Sequence, residues 1–193
     1  MKILNNILAS QSPRRKEILN QIGFEYSIIV SNTIENYKLN LIPEALAEHW
    51  AREKAKNVSK DHPNSLIIGA DTIVTLDSKI LGKPKNKAES ISMLESLSGR
   101  THEVVTGVSL INIKNDLDIT FNAMTKVTIM TLNINEILKY IELYSPFDKA
   151  GSYGIQDGFS VYISQIHGCY YNVMGFPVSS FFYHYNSLKK YWI

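Results

Sequence analysis

Several charged residues stand where the local chain disfavours charge, and they define the chemistry to look for. Asp71 lies between Ile67-Ile68 and Ile73-Val74, inside the apolar run Leu66–Leu76. A buried carboxylate without a partner costs several kcal/mol or neutralises itself. Asp71 therefore calls for a cation, a metal or a strand end open to solvent, and Gly69 and Ala70 just before it leave room for a ligand. Arg14, Arg15 and Lys16 follow Pro13 at what reads as a helix start. Cations there oppose the helix dipole by about 0.3–1 kcal/mol each. A bound anion reverses that sign, because free N–H groups and two guanidinium forks could then converge on one phosphate group. Lys54 falls on the apolar stripe Ala47, Trp50, Ala51, Ala55 and Val58 of a helix, where its ammonium either snorkels to water or enters a cleft that holds anions. Lys83, between Gly82 and Pro84, is held on a tight loop. Gly151–Gly158 is a glycine-rich segment that admits a ligand close to its backbone, and within it Gln156 offers one acceptor and two donors to a base edge.

Taken singly, each feature has an ordinary explanation: a solvated basic turn, a strand-end aspartate, a snorkelling lysine, a flexible connector. Taken together, clustered cations, few acids and one amide suit a polyphosphate with a base attached. Asp71, with Glu35 as a second carboxylate, could hold Mg²⁺, or Asp71 could accept a proton from water. These roles compete for one group, and both stay open at this stage.

Other chemistries are excluded. No P-loop, G-x-G-x-x-G, H-E-x-x-H or G-x-S-x-G pattern occurs, and the histidines at 49, 62, 102, 167 and 184 lack metal-ligand spacing. A formal charge of +2 does not suit a general nucleic-acid binder, and Tyr170-Tyr171 have no interleaved basic patch. One cysteine, Cys169, allows no internal disulfide and fits a reducing compartment. No apolar run is long enough to span a membrane, and the N-terminal apolar stretch is broken by Asn5 and Asn6, too short for an export signal. A cytoplasmic protein is expected.

The elements that must position these residues follow from the pattern. The length predicts one compact domain over residues 1–193. Ile7–Ala9 reads as a short strand, Ser12-Pro13 as N-cap and first residue of a helix that stops near Gly23, and Phe24–Val30 as a second strand. Pro43 opens a helix to about Val58, and Leu66–Leu76 is a central strand. Asn86 and Glu89 form a capping box for a helix ending near Leu97. Glu103–Ile113 and Phe121–Leu132 read as strands, and Asn135 caps a helix that stops before Pro146. Val161–Ile166 and Cys169–Val173 could pair as a hairpin, and Pro177 starts a last helix with Phe181, Phe182, Tyr185 and Leu188 inward; Trp192 is assigned to the core. Interspersed helices and strands predict an α/β fold with a mixed sheet.

The segment Leu8–Leu19, with Ser10-Gln11-Ser12-Pro13-Arg14-Arg15-Lys16-Glu17, resembles the signature opening of the Maf family of nucleoside triphosphate pyrophosphatases. Further landmarks follow in the family's order: Glu35, Ala51-Arg52-Glu53-Lys54-Ala55, Gly69-Ala70-Asp71-Thr72, Leu81-Gly82-Lys83-Pro84, Ser98-Gly99-Arg100-Thr101-His102, Tyr153-Gly154-Ile155-Gln156 and Gly168 to Pro177. The resemblance implies hydrolysis of a nucleoside triphosphate to monophosphate and pyrophosphate with a divalent cation, Mg²⁺ or Mn²⁺. It implies a twisted mixed sheet flanked by helices, two lobes around a central cleft, and a homodimer. By this resemblance Asp71 matches the proton acceptor, and Glu35 a carboxylate on the metal side. Arg15, Lys54 and Lys83 match cations around the phosphates. Arg14, Thr72 and Gln156 match positions tied to substrate choice, and Thr72 with Gln156 resembles the branch that prefers dTTP and UTP. The rival readings are the same reaction on a modified nucleotide and a non-catalytic nucleotide sensor that regulates cell division. Two departures stand out. Asp157 replaces a frequent glycine beside Gln156, where it adds negative charge, and Phe176 replaces a frequent leucine.

Overall fold

The sheet is organised around its most apolar strand. A computed structural model describes residues 5–188. In it β3 (Leu66–Leu76) is buried at every position except Thr72, which is partly exposed. β1 (Asn6–Leu8) runs parallel to β3 on one side, and β2 (Ser27–Ile28) runs parallel to β1 beyond it. On the other side β5 (Thr101–Asn112), β6 (Leu117–Ile129) and β7 (Ile163–His167) follow antiparallel, while β4 (Lys79–Leu81) folds back on the end of β3. The sheet order β2-β1-β3-β5-β6-β7 is mixed, as an α/β chain with few crossovers requires.

Successive residues of a strand point to opposite faces. Ile67 and Ile73 accordingly pack against α2 (Pro43–Ser59), whereas Leu66, Ile68 and Ala70 face the larger core. That core takes Ile18 and Leu19 from α1 (Pro13–Gln21), Leu94 and Leu97 from α3 (Lys87–Leu97), Ile137 and Ile141 from α4 (Ile134–Tyr144), and Phe181 from α6 (Val178–Ser187). Helix α2 lies unusually close to the sheet because two strand positions lack a side chain. A Cβ at Gly69 would collide with the Ala51 carbonyl, and one at Gly107 with the Ala47 backbone. The space at Gly69 thus belongs to α2, not to a ligand, and the close approach lets a lysine on α2 reach Asp71.

The sequence reading needs correction at several places. The segment Phe24–Val30 pairs only at Ser27–Ile28, both exposed, because it lies at the sheet margin. Ser12 precedes α1 without a side-chain cap; instead the Ser10 hydroxyl accepts from the Ser12 N–H. The Asn86 side chain caps α3, but Glu89 accepts from the Lys85 N–H, leaving half a capping box. The complete box is Asn133 with Glu136 on α4, two residues before Asn135. No hairpin forms after β7: residues 170–174 are a short helix, α5 (Tyr170–Met174), ended by Gly175 in a left-handed conformation. In α6 Phe181 is buried and Tyr185 packs on the core, but Phe182 is exposed. Trp192 lies outside the described residues. Among those residues no helix is long and apolar enough to cross a membrane.

Candidate active site

The eight residues singled out from the sequence (Arg14, Arg15, Glu35, Lys54, Asp71, Thr72, Lys83 and Gln156) all line one cleft. Its inner end is a ring of charge. Asp71 on β3 is 4% exposed, and its Oδ1 accepts from Lys54 Nζ at 2.7 Å. The same ammonium meets Glu35 Oε1 at 2.5 Å, so the lysine on the apolar stripe does point into an anionic cleft. The loop between β2 and α2 that carries Glu35 also brings Tyr37. Its hydroxyl donates to Glu35 Oε2 at 2.5 Å and lies 3.2 and 3.4 Å from the two Asp71 oxygens. Two donors and two carboxylates therefore close a cycle.

The two carboxylates are pushed apart in acidity. Burial raises Asp71 above its ordinary value by more than Lys54 lowers it, and Glu35 adds to the rise. Burial also acts upward on Glu35, but Lys54 and the Tyr37 hydroxyl together outweigh it and hold that group below its ordinary value. Burial and the adjacent carboxylates drive the Tyr37 phenol upward, so it remains protonated. Separated acidities within one pair of carboxyl groups suit acid and base roles.

The opposite face of β3 carries Thr72, and there Arg15 is built into the wall. Its Nε donates to the Gly175 carbonyl at 2.9 Å, its Nη1 to Ser10 Oγ at 3.0 Å and its Nη2 to Thr72 Oγ1 at 3.1 Å. Thr72 shares a second hydroxyl contact with Thr106, which donates to the Asn172 carbonyl. Burial lowers the Arg15 pKa, yet a guanidinium stays charged in proteins. Arg14 and Arg15, although adjacent, do not converge: Arg14 turns to the mouth and pairs with Asp148 at 3.0 Å. Lys149 pairs with the same carboxylate at 2.7 Å and lines the cleft as well. Gln156 donates from Nε2 to Glu17 on α1 at 3.0 Å. Lys83, on the exposed loop after β4, faces the cleft, and the Gly82 carbonyl beside it receives the Gly151 N–H. Arg100 pairs with Asp77 and does not line the cleft.

The glycine-rich segment is not a loose connector. Residues 150–152 and 158–162 form tight helical turns, and Tyr153 anchors the segment by a 2.7 Å hydrogen bond with His102. Burial pulls His102 down to about 4, so the imidazole is neutral at physiological pH. Asp157 turns inward: it accepts from the Phe159 N–H at 3.0 Å and from the Tyr140 hydroxyl at 3.2 Å. Both of its oxygens are thereby engaged in holding the turn. Gly158 has no ligand to admit, since a Cβ there would strike the Tyr144 ring on α4. Phe176 is fully buried against Phe181, an ordinary core substitution.

Sequence reasoning missed Tyr37, Asp148 and Lys149. Tyr37 lies on a loop with no periodicity, so nothing local marks it. The Asp148-Lys149 pair, by contrast, sits just before the glycine-rich segment, and a lysine there could have been grouped with the other cations. As for a metal, the Glu35 and Asp71 oxygens converge within 2.7 Å of one ammonium position. Such a pair of hard oxygen donors fits Mg²⁺, which takes one or two carboxylates and completes its shell with water and substrate phosphate. No cluster of three or more His, Cys, Asp or Glu that could hold a metal by itself occurs among the described residues.

Comparison with known proteins identifies the family. Residues 5–188 match the model of the family described as Maf-like protein. A dTTP/UTP pyrophosphatase of Bacillus pumilus is 47% identical over 173 residues, covering 90% of both chains. One from Bacillus anthracis has the same identity and coverage. Among solved structures, a HAM1 protein from Coxiella burnetii aligns over 66% of this chain and 73% of its own, with 20% identity and a TM-score of 0.44. The family match spans the cleft and every element that lines it, and this chain belongs to the Maf family.

Proposed function

We propose that this chain is a nucleoside triphosphate pyrophosphatase that hydrolyses dTTP and UTP to the monophosphate and pyrophosphate, a housekeeping reaction of the nucleotide pool. One observation carries the reading. A buried carboxylate, Asp71, is held by Lys54 at the inner end of a cleft whose other walls bring Arg14, Arg15, Lys83 and Lys149. The relatives named above carry the substrate preference in their names, and Thr72 and Gln156, which the resemblance ties to substrate choice, line the cleft.

Water attacks the α-phosphorus. Asp71 takes its proton, a role suited to a carboxyl whose pKa burial has raised toward the working pH. The bond from α-phosphorus to its bridging oxygen breaks, and pyrophosphate leaves with that oxygen. Lys54 keeps the Asp71 carboxylate oriented through Oδ1. Arg14 and Lys83 neutralise the polyphosphate, and Lys149 joins them once Asp148 gives way. Three of the five N–H groups of Arg15 are committed to Gly175, Ser10 and Thr72, and the rest are available to a phosphate oxygen. A divalent cation, Mg²⁺ or Mn²⁺, would be held by Glu35, which leaves Asp71 to take the proton, and would neutralise phosphate charge. A cytoplasmic location belongs to this proposal and rests on the lone Cys169 and the nucleotide substrate; a homodimer rests on the family resemblance alone.

The test is pyrophosphate release with Mg²⁺ or Mn²⁺ from dTTP, UTP, CTP, GTP, ATP and 7-methyl-GTP, with Asp71→Asn alongside. The expected result is release from dTTP and UTP, reduced about 10²–10⁴-fold in the variant, which keeps its fold. Undiminished turnover by Asp71→Asn would remove the mechanism, and release from a purine triphosphate alone would replace the substrate assignment.

A further inference from the structure

Gln156 has a fixed backbone and a free end. Ile155 before it is buried, and Asp157 after it is tied to the Phe159 N–H and the Tyr140 hydroxyl. The terminal amide torsion of glutamine is broad and roughly two-fold, so the backbone does not decide which end of the amide faces the cleft. That choice matters for a pyrimidine. Uracil and thymine present an N3–H donor flanked by two carbonyl acceptors, whereas cytosine presents an N3 acceptor beside an amino donor. A glutamine amide can satisfy either edge by turning over.

One contact removes the ambiguity. Glu17 on α1 accepts from Gln156 Nε2 at 3.0 Å. An ionised carboxylate only accepts, so Nε2 must face Glu17 and Oε1 is left to accept from the cleft side. The backbone at Glu17 is secured, because Ile18 and Leu19, next along the same helix, are fully buried. We infer that Glu17 is a specificity-determining positioning residue: it locks the Gln156 amide with its acceptor available to the N3–H of uracil or thymine, and so disfavours cytosine. The inference rests on the pyrimidine triphosphate reading above and deepens it.

Glu17→Gln is the informative variant. It keeps the size of the side chain at an exposed position, but the new amide can donate as well as accept, so Gln156 can face it with either end. Glu17→Ala removes the lock altogether. For the wild type and both variants, kcat and KM are measured for UTP, dTTP and CTP, and UMP and CMP affinities are measured by calorimetry. The expected result is a rise of about tenfold in the CTP to UTP ratio of kcat/KM, matched by the CMP to UMP affinity ratio, in both variants. Turnover of UTP at saturation stays within about twofold, because Glu17 touches no reacting group. A ratio unchanged within twofold in Glu17→Gln would overturn the inference while leaving the pyrophosphatase reading intact. Were the wild type to release pyrophosphate from none of the three, that reading would fail instead. The UMP and CMP affinities would still decide the role of Glu17.

Discussion

At the inner end of the cleft, Lys54, Glu35, Asp71 and Tyr37 close a ring in which the lysine and aspartate side chains are 13% and 5% exposed. At the mouth, Arg14 meets an Asp148 side chain that is 57% exposed. Both ends use charged groups at hydrogen-bonding distance, yet the same pairing means different things in the two places. A buried pair loses its hydration, so each partner depends on the other. An exposed pair exchanges freely with water and contributes little. The division suits the proposed reaction: Asp71 is fixed before substrate arrives, while Arg14 and Lys149 hold an exposed carboxylate that a phosphate would replace.

The largest effect that would test this division is at Lys54. Lys54→Met leaves Asp71 and Glu35 facing each other without their cation. The expected loss is about 3–5 kcal/mol of folding stability at neutral pH, read by urea denaturation. The sign with pH follows. Without Lys54 both folded carboxyl groups have raised pKa values, the native state binds more protons than the unfolded chain, and the deficit shrinks as pH falls. Adding Asp71→Asn should recover most of the loss, since the uncompensated charge is gone. A single variant as stable as the wild type would show that the inner end is no more interdependent than the mouth.

The next effect concerns the foot of the segment that carries Gln156. His102, buried on β5, holds Tyr153, and its pKa is pulled down to about 4. Between that value and the ordinary histidine value near 6.5 the unfolded chain binds a proton that the native state refuses. The stabilising share of His102 is therefore present above about pH 6.5 and lost as pH falls through 4, amounting to about 3 kcal/mol at 1.36 kcal/mol per unit. His102→Gln, which can still reach the Tyr153 hydroxyl, should flatten the acid limb of the stability curve. An unchanged acid limb would place the anchor of this segment elsewhere.

How much of this was legible without coordinates differs between the same two regions. The inner end announced itself: a carboxylate inside an apolar run and a lysine on an apolar stripe each broke a local rule, and burial forces such conflicts to be resolved by contact. Strand Leu66–Leu76 was bounded correctly for the same reason, as its residues are buried on both faces. The mouth carried no such signal. Exposed residues such as Asp148 and Glu17 obey every local rule, so their partners appear only when the chain is folded. Tyr37 escaped because a loop has no period, and α5 was misread as a strand because a five-residue helix shows too little of its repeat to be told from one. Gly69 shows the converse error: its lack of a side chain was seen, but the neighbour it admits is a helix backbone rather than a ligand.

The smallest effect is at Asp148, and it separates the two regions most sharply. Arg14 and Lys149 both spend their charge on this one carboxylate, and it stands in the cleft where a phosphate would meet the same two cations. Asp148→Asn breaks two ion pairs at once. Were the mouth built like the inner end, the cost would be several kcal/mol. Because the carboxylate is exposed, stability should change by less than about 1 kcal/mol. Function should move the other way. A nucleotide no longer has to displace an anion from Arg14 and Lys149, so KM for UTP should fall about threefold with kcat little changed. The pair of measurements is a denaturation midpoint and a steady-state titration with UTP. A large loss of stability, or a raised KM, would mean that Asp148 fixes these cations for the substrate rather than standing in for it.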